Sequence, residues 1–169
     1  AARDLCLPDL GPCEVISSGG TPTLAKAGLA PCITEYRAGT YIYNDRSLID
    51  RGACAVADCA LTVLTTVVSR PTTDRAILDA GSKTLTSDLF GLQGYGMLPA
   101  YPGANITGLS EEHGNVDLRD CATRPRIGEK VQVIPNHACP VSNLTDQVVF
   151  HRNGDVVRHE DVAARGCVI

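Results

Sequence analysis

His137 and Cys139 stand two residues apart in Pro135-Asn136-His137-Ala138-Cys139-Pro140. If this stretch is extended, residues two apart face the same side. An imidazole and a thiolate could then converge on one cation, and that donor pair suits zinc or another borderline-soft divalent ion. Two protein ligands do not close a structural site, so water or a substrate would complete the shell. The competing reading is a satisfied buried histidine beside a buried cysteine. The flanking prolines favour a rigid placement.

Two further patches have the chemistry of an anion site. In Ser17-Ser18-Gly19-Gly20-Thr21-Pro22-Thr23, small residues end a strand and hand over to a helix. Backbone N–H groups and the helix dipole at such a junction favour negative charge, although an ordinary strand-to-helix turn has the same composition. Arg37-Ala38-Gly39-Thr40-Tyr41 closes the next extended stretch. In a (β/α)₈ barrel, phosphate sites lie at strand C-termini, often after the last strands. Two consecutive strands ending in glycine and hydroxyl residues would share one phosphate. Tyr41 could stack, donate a hydrogen bond or serve as core. Glu111-Glu112-His113 is a polar cluster that reads equally as a solvated loop.

The elements that must carry these residues fall into two textures. Glu14–Ser17 reads as a strand, Thr21-Pro22 as a hydroxyl N-cap with proline at the first helical position, Leu24–Leu29 as the helix, and Ile33–Arg37 as a second strand. Strand, glycine loop, helix, strand is the α/β idiom, and one such unit needs neighbours. From Asp58 onward the pattern is of short strands: Leu61–Val68, ended by Arg70-Pro71; Arg75–Asp79; an extended piece from Thr107; Asn115–Leu118; Lys130–Ile134. Gln147–Phe150 and Val156–His159 flank Asn153-Gly154, a hairpin turn signal. The glycine- and proline-rich stretch from Asp88 to Gly103 reads as a long loop. The fold class expected is therefore mainly β, a small barrel or sandwich over 46–169. A remnant of α/β barrel over 1–45 precedes it.

The composition excludes several classes. The chain has 169 residues, 44% of them hydrophobic, with two Phe, five Tyr and no Trp, so aliphatic residues must fill one real core. A net charge of −4 without a basic run argues against nucleic acid as a partner. No apolar stretch reaches the roughly 20 residues of a membrane span, and the charged N-terminus is unlike a signal peptide. Eight cysteines form no CxxC pair or regular array, which favours free buried thiols in a reducing, cytoplasmic setting over a disulfide framework.

Taken in order, these patches resemble the D-threonine aldolase/D-serine dehydratase family. The similarity continues through Asp58-Cys59-Ala60-Leu61, Leu78-Asp79-Ala80-Gly81-Ser82-Lys83, Leu109-Ser110-Glu111-Glu112-His113-Gly114 and Pro135 to Val141, so it covers nearly the whole chain from about Cys13. Ala38 stands where the family tends to carry proline. The resemblance implies an alanine-racemase-like barrel that carries pyridoxal 5′-phosphate (PLP), followed by a β-domain, of which this chain is the C-terminal part. It implies that Ser18, Gly19, Gly20, Thr21, Gly39, Thr40 and Tyr41 bind the cofactor, its phosphate above all. It implies that His137 and Cys139 hold a divalent metal, zinc or manganese.

In that family the metal acts as a Lewis acid on the β-hydroxyl of a D-amino acid, assisting retro-aldol cleavage or loss of water. A homodimer is implied as well. The family's Schiff-base lysine lies near the start of the barrel; only Lys26, Lys83 and Lys130 occur here, and none matches it. The expectation is a lyase whose barrel half is missing from this chain, inactive alone. The alternatives are a stand-alone metal-binding β-domain and one fragment of a split enzyme.

Overall fold

The structure, a computed structural model, describes residues 14–167; Cys6 and Cys13 lie outside them. Two strands, β1 (Ser17–Ser18) and β2 (Glu35–Tyr36), pair in parallel. Both are shorter than the sequence suggests. The helix between them is a 3₁₀ helix, Thr21–Leu29, with Pro22 in its first turn and no buried residue. Its N-cap is Gly20 and not Thr21. Thr21 uses its hydroxyl differently, accepting a hydrogen bond from Tyr41 N at 3.0 Å. The physical reason for the shortening is that the described residues cover the unit poorly: Leu24 and Leu29 are exposed, and a parallel pair is otherwise a buried arrangement.

A short helix α1 (Arg46–Asp50) leads into the main sheet. That sheet has strands β3 (Val63–Thr72), β4 (Arg75–Leu78), β5 (Asn105–Leu109), β6 (Gly114–Asp117) and β7 (Lys130–Val133). Their spatial order is β5-β6-β4-β3-β7 and every pairing is antiparallel. β3 does not end at Arg70-Pro71 as expected. It passes through Pro71 because the register slips between Ser69 and Thr72, and a bulge is where a residue without an N–H is tolerated. β7 alternates exposed and buried along its length, the pattern of a half-buried strand. Val67, Leu78, Ile106, Val116, Leu118 and Val133 make the centre of an aliphatic core.

The 88–103 stretch is a loop in local conformation, yet it does structural work. Tyr95 N donates to Ile106 O of β5 at 3.0 Å. Met97 exchanges both backbone bonds with Ile134, just past β7, at 2.9 and 2.8 Å. This segment ties the β5 edge to the chain just past β7 and covers part of both edges. A small helix α2 (Ser82–Leu85) follows β4. Its N-cap Gly81 sits so close to the 110–111 backbone that an added Cβ would lie 2.4 Å from the carbonyl oxygens of Ser110 and Glu111. Those carbonyls cannot retreat freely, since Ser82 N and Lys83 N bond to them at 2.8 and 3.1 Å. Gly81→Ala is therefore expected to cost about 1–3 kcal/mol, read as a lowered urea midpoint with an unchanged slope.

Helix α3 (Ala138–Leu144) precedes a separate ribbon, β8 (Gln147–Arg152) with β9 (Asp155–Asp161). Asn153 and Gly154 both have positive φ, 53° and 93°, the two-residue turn whose twist matches a hairpin. Among the described residues no helix is long and apolar enough to cross a membrane.

Candidate functional site

The stretch carrying His137 and Cys139 is not extended throughout. His137 is the N-cap of α3, and Cys139 lies in its first turn, so strand alternation does not bring the two together. Pro140 also sits in that first turn, where the missing N–H costs nothing. His137 makes no side-chain cap. The cap comes from Asp45, which is fully buried. Its Oδ2 accepts from Ala138 N at 3.0 Å, while Oδ1 accepts from Leu48 N at 3.2 Å and Ser47 Oγ at 2.7 Å. One carboxylate thus caps α1 and α3 together. Arg46 N to Pro135 O at 3.0 Å and Ser47 N to Asn136 O at 3.2 Å complete a clasp that fixes where α3 starts.

The His137 ring is held on an edge and on a face. Its Nδ1 lies 2.8 Å from Asp88 Oδ2, and Phe90 stacks on it at 4.4 Å with 25° between planes. The Arg51 guanidinium lies over the Phe90 ring, 5.0 Å from its centroid. Phe90 has φ 49°, a costly conformation for an aromatic residue, supported by its N–H donating to Asp88 Oδ1 at 2.9 Å. The His137 bond, opposed in part by burial and aided by the Phe90 N–H, holds the Asp88 carboxyl below the usual carboxylate range. Asn136, also buried, donates to Gly94 O at 2.8 Å and to the carbonyls of Asp88 and Leu89 at 3.4 Å.

Asp88 and Phe90 escaped the sequence reading. The available signal was Asp88-Leu89-Phe90-Gly91, an aspartate two residues ahead of the N–H it caps, with a glycine after. Nothing local connects that turn to His137.

The three patches meet through side chains. Thr21 Oγ1 takes the N–H of Tyr41, and Thr40 Oγ1 lies 3.7 Å from Cys139 Sγ. Tyr41 is 57% exposed, which removes the core reading of that residue. Gly19 has φ 122°, and an added Cβ would strike the Tyr36 ring at 2.7 Å. The Tyr36 hydroxyl donates to Gly20 O at 3.0 Å, fixing the turn. Among the described residues, none accepts a backbone hydrogen bond from Gly19 or Gly20. Gly39 has open space around its Cα. Ser18 sits at the end of β1, and its carbonyl takes Arg37 N at 3.0 Å.

The donor chemistry fits a divalent metal. His137 Nε2 and Cys139 Sγ are both uncommitted apart from the contact to Thr40, and Cys139 is exposed. Among the described residues no three His, Cys, Asp or Glu side chains converge on a point, so a metal here would need donors from outside this pair. The expectation of buried thiols fails: Cys32, Cys139 and Cys167 are exposed, Cys54 and Cys59 are half-buried, and Cys121 alone of the described free cysteines is buried. Aliphatic residues occupy the core that those cysteines were expected to share. The Glu111–His113 cluster is a solvated turn, with Glu112 paired to Lys83 at 2.6 Å.

Residues 60–151 match the family model described as "Putative serine dehydratase domain". An uncharacterised protein of Mycobacterium tuberculosis is 42% identical over 128 residues, which are 73% of this chain and 96% of that protein. The crystal structure of D-threonine aldolase from Filomicrobium marinum superposes with a TM-score of 0.79 at 30% identity, over 99% of this chain and 44% of the aldolase. A D-threo-3-hydroxyaspartate dehydratase solved in a metal-free form, with a cysteine replaced by alanine, matches with a TM-score of 0.75 at 30% identity, over 89% of this chain and 45% of that one. Another variant of a D-threo-3-hydroxyaspartate dehydratase carries alanine for a histidine, two positions before that cysteine's number. The chain therefore spans less than half the length of the solved lyases it matches. With a mainly antiparallel β architecture and the matched segment covering its sheet, the chain belongs to the serine dehydratase domain family.

Proposed function

We propose that this chain is the C-terminal part of a PLP- and metal-dependent lyase acting on D-β-hydroxy-α-amino acids, by retro-aldol cleavage or by dehydration. The observation that carries this reading is the contact between Thr40 and Cys139 at 3.7 Å, which joins the loop read as a phosphate site to the helix read as a metal site. The solved relatives that supply the lyase class are aldolases and dehydratases of D-hydroxy amino acids. The metal-free cysteine variant of one of them supports Cys139 as a ligand.

When bound, PLP withdraws electrons from the substrate α-carbon and a divalent metal polarises its β-hydroxyl. This chain's contribution is placement. Ser18, Gly19, Gly20, Thr21, Gly39 and Thr40 offer N–H and hydroxyl groups to a phosphate. Tyr41 is tied to them by its N–H to Thr21 Oγ1. His137 Nε2 and Cys139 Sγ hold the metal, zinc or manganese. In this reading the cofactor's lysine is none of this chain's: Lys83 pairs with Glu112, Lys26 lies in the last turn of the 3₁₀ helix, and Lys130 opens β7. That residue comes from the barrel half, with residues 1–45 as the barrel's end and 46–169 as the β-domain. A homodimer is part of the reading, because Val149, Phe150, Val156 and Val157 are exposed on the β8–β9 ribbon.

A second reading is favoured by the mycobacterial relative, 96% of which this chain covers: a stand-alone metal-binding β-domain without activity. Intact mass of the protein from its source cell, under denaturing conditions, separates the two. A species heavier by most of a barrel, roughly 250 residues, supports the lyase, and its release of glycine and acetaldehyde from D-threonine or of ammonia from D-serine follows. A species of only this chain's length, binding zinc and turning over neither amino acid, replaces the lyase reading with the stand-alone domain.

A further inference from the structure

We propose that Asp88 is a positioning residue that locks the His137 ring in its Nδ1–H tautomer, so that Nε2 is the atom His137 offers to a metal. This deepens the metal reading above and rests on it only for the ligand's identity.

The Asp88 carboxylate has two oxygens with two separate duties. Oδ1 takes the Phe90 N–H at 2.9 Å and so builds the turn. Oδ2 faces His137 Nδ1 at 2.8 Å. An ionised carboxylate only accepts, so Nδ1 must carry the proton in this contact. In a neutral imidazole that leaves the lone pair on Nε2, the edge with no partner among the described residues. The turn that builds this contact also supplies the Phe90 ring that covers the imidazole face. Asn136, next to His137 in the chain, grips the carbonyls of Asp88, Leu89 and Gly94. The ring cannot rotate without breaking both the Asp88 bond and the stack. A ligating histidine that donates its other N–H to a carboxylate is the usual means of fixing orientation and raising basicity.

The test has two readouts on the full chain. Long-range proton–nitrogen NMR of the metal-free protein, at alkaline pH, reports the tautomer. The chain has four histidines, and His137→Gln identifies the His137 signal. Wild type is expected to show protonated Nδ1 and bare Nε2, whereas Asp88→Ala shows the mixture typical of a free imidazole. Zinc affinity, by competition with a chromophoric chelator, is expected to fall about 10–100-fold in Asp88→Ala. Asp88→Asn keeps a carbonyl acceptor for the ring and is expected to recover most of that loss. A wild-type ring protonated on Nε2, or Asp88→Ala with the wild-type tautomer and affinity, overturns the proposal. A wild-type chain that binds no zinc defeats the metal reading alone, and the ring spectrum still decides for or against Asp88.

Discussion

Alanine at His137 or at Cys139 is expected to abolish stoichiometric zinc binding by this chain. With only two protein donors in the set, removing either leaves a single ligand and water. The loss should exceed the roughly 10–100-fold that an outer partner such as Asp88 commands. Folding should survive both changes. His137 makes no cap to α3, and its contact with Asp88 is partly exposed, where an ion pair is worth at most about 1 kcal/mol. Cys139 is exposed. Metal content after dialysis measures the first effect, and urea denaturation the second. Cobalt loading adds a signature: thiolate coordination gives a charge-transfer band that Cys139→Ala should lack. Zinc retained at one per chain in either variant would remove that residue from the site.

The parts of this arrangement visible in the sequence are those fixed by near neighbours. Asn153-Gly154 demands positive φ at two successive residues, so the hairpin follows from the dipeptide. The alternation of Lys130 to Val133 reports one buried face and little else. Gly19, at φ 122°, announces a turn for the same local reason. The rest depends on partners far along the chain. Asp45 meets Ala138 across 93 residues, and Asp88 meets His137 across 49; nothing local points either aspartate to its distant partner. The glycines and prolines of 88–103 correctly indicate irregular backbone, yet its pairing with Ile106 and Ile134 is set by the gap between two strand edges. The helix onset at Ala138 was hidden for a similar reason. Its capping group comes from another element, so His137-Ala138-Cys139 looks extended when read alone.

The same dependence makes Asp45 the position where the largest loss of stability is expected. Its side chain is buried and accepts from Leu48 N, Ser47 Oγ and Ala138 N. Asp45→Ala leaves the Ala138 N–H buried without an acceptor, worth about 1–3 kcal/mol, while Leu48 N keeps its bond to the Asp45 carbonyl at 3.1 Å. The Ser47 hydroxyl can rotate to another partner and adds less. With the lost bonds to Leu48 N and Ser47 Oγ, a total of about 2–4 kcal/mol follows, a large fraction of the stability of a domain this size. Asp45→Asn retains one acceptor oxygen and sets an amide NH₂ against the remaining donor, so it should fall between wild type and alanine. Urea unfolding of the three proteins measures this ranking. An Asp45→Ala midpoint equal to wild type would mean that α3 is held by Arg46 N and Ser47 N alone. The Asp45 bond to Ala138 N also sets the start of α3, and therefore the spacing of His137 from Cys139. Where enough Asp45→Asn remains folded, its zinc affinity should drop with its stability, although residue 45 touches neither ligand. Stability lost with zinc affinity intact would place the metal pair under the control of Asp88 and Thr40 and not of the clasp.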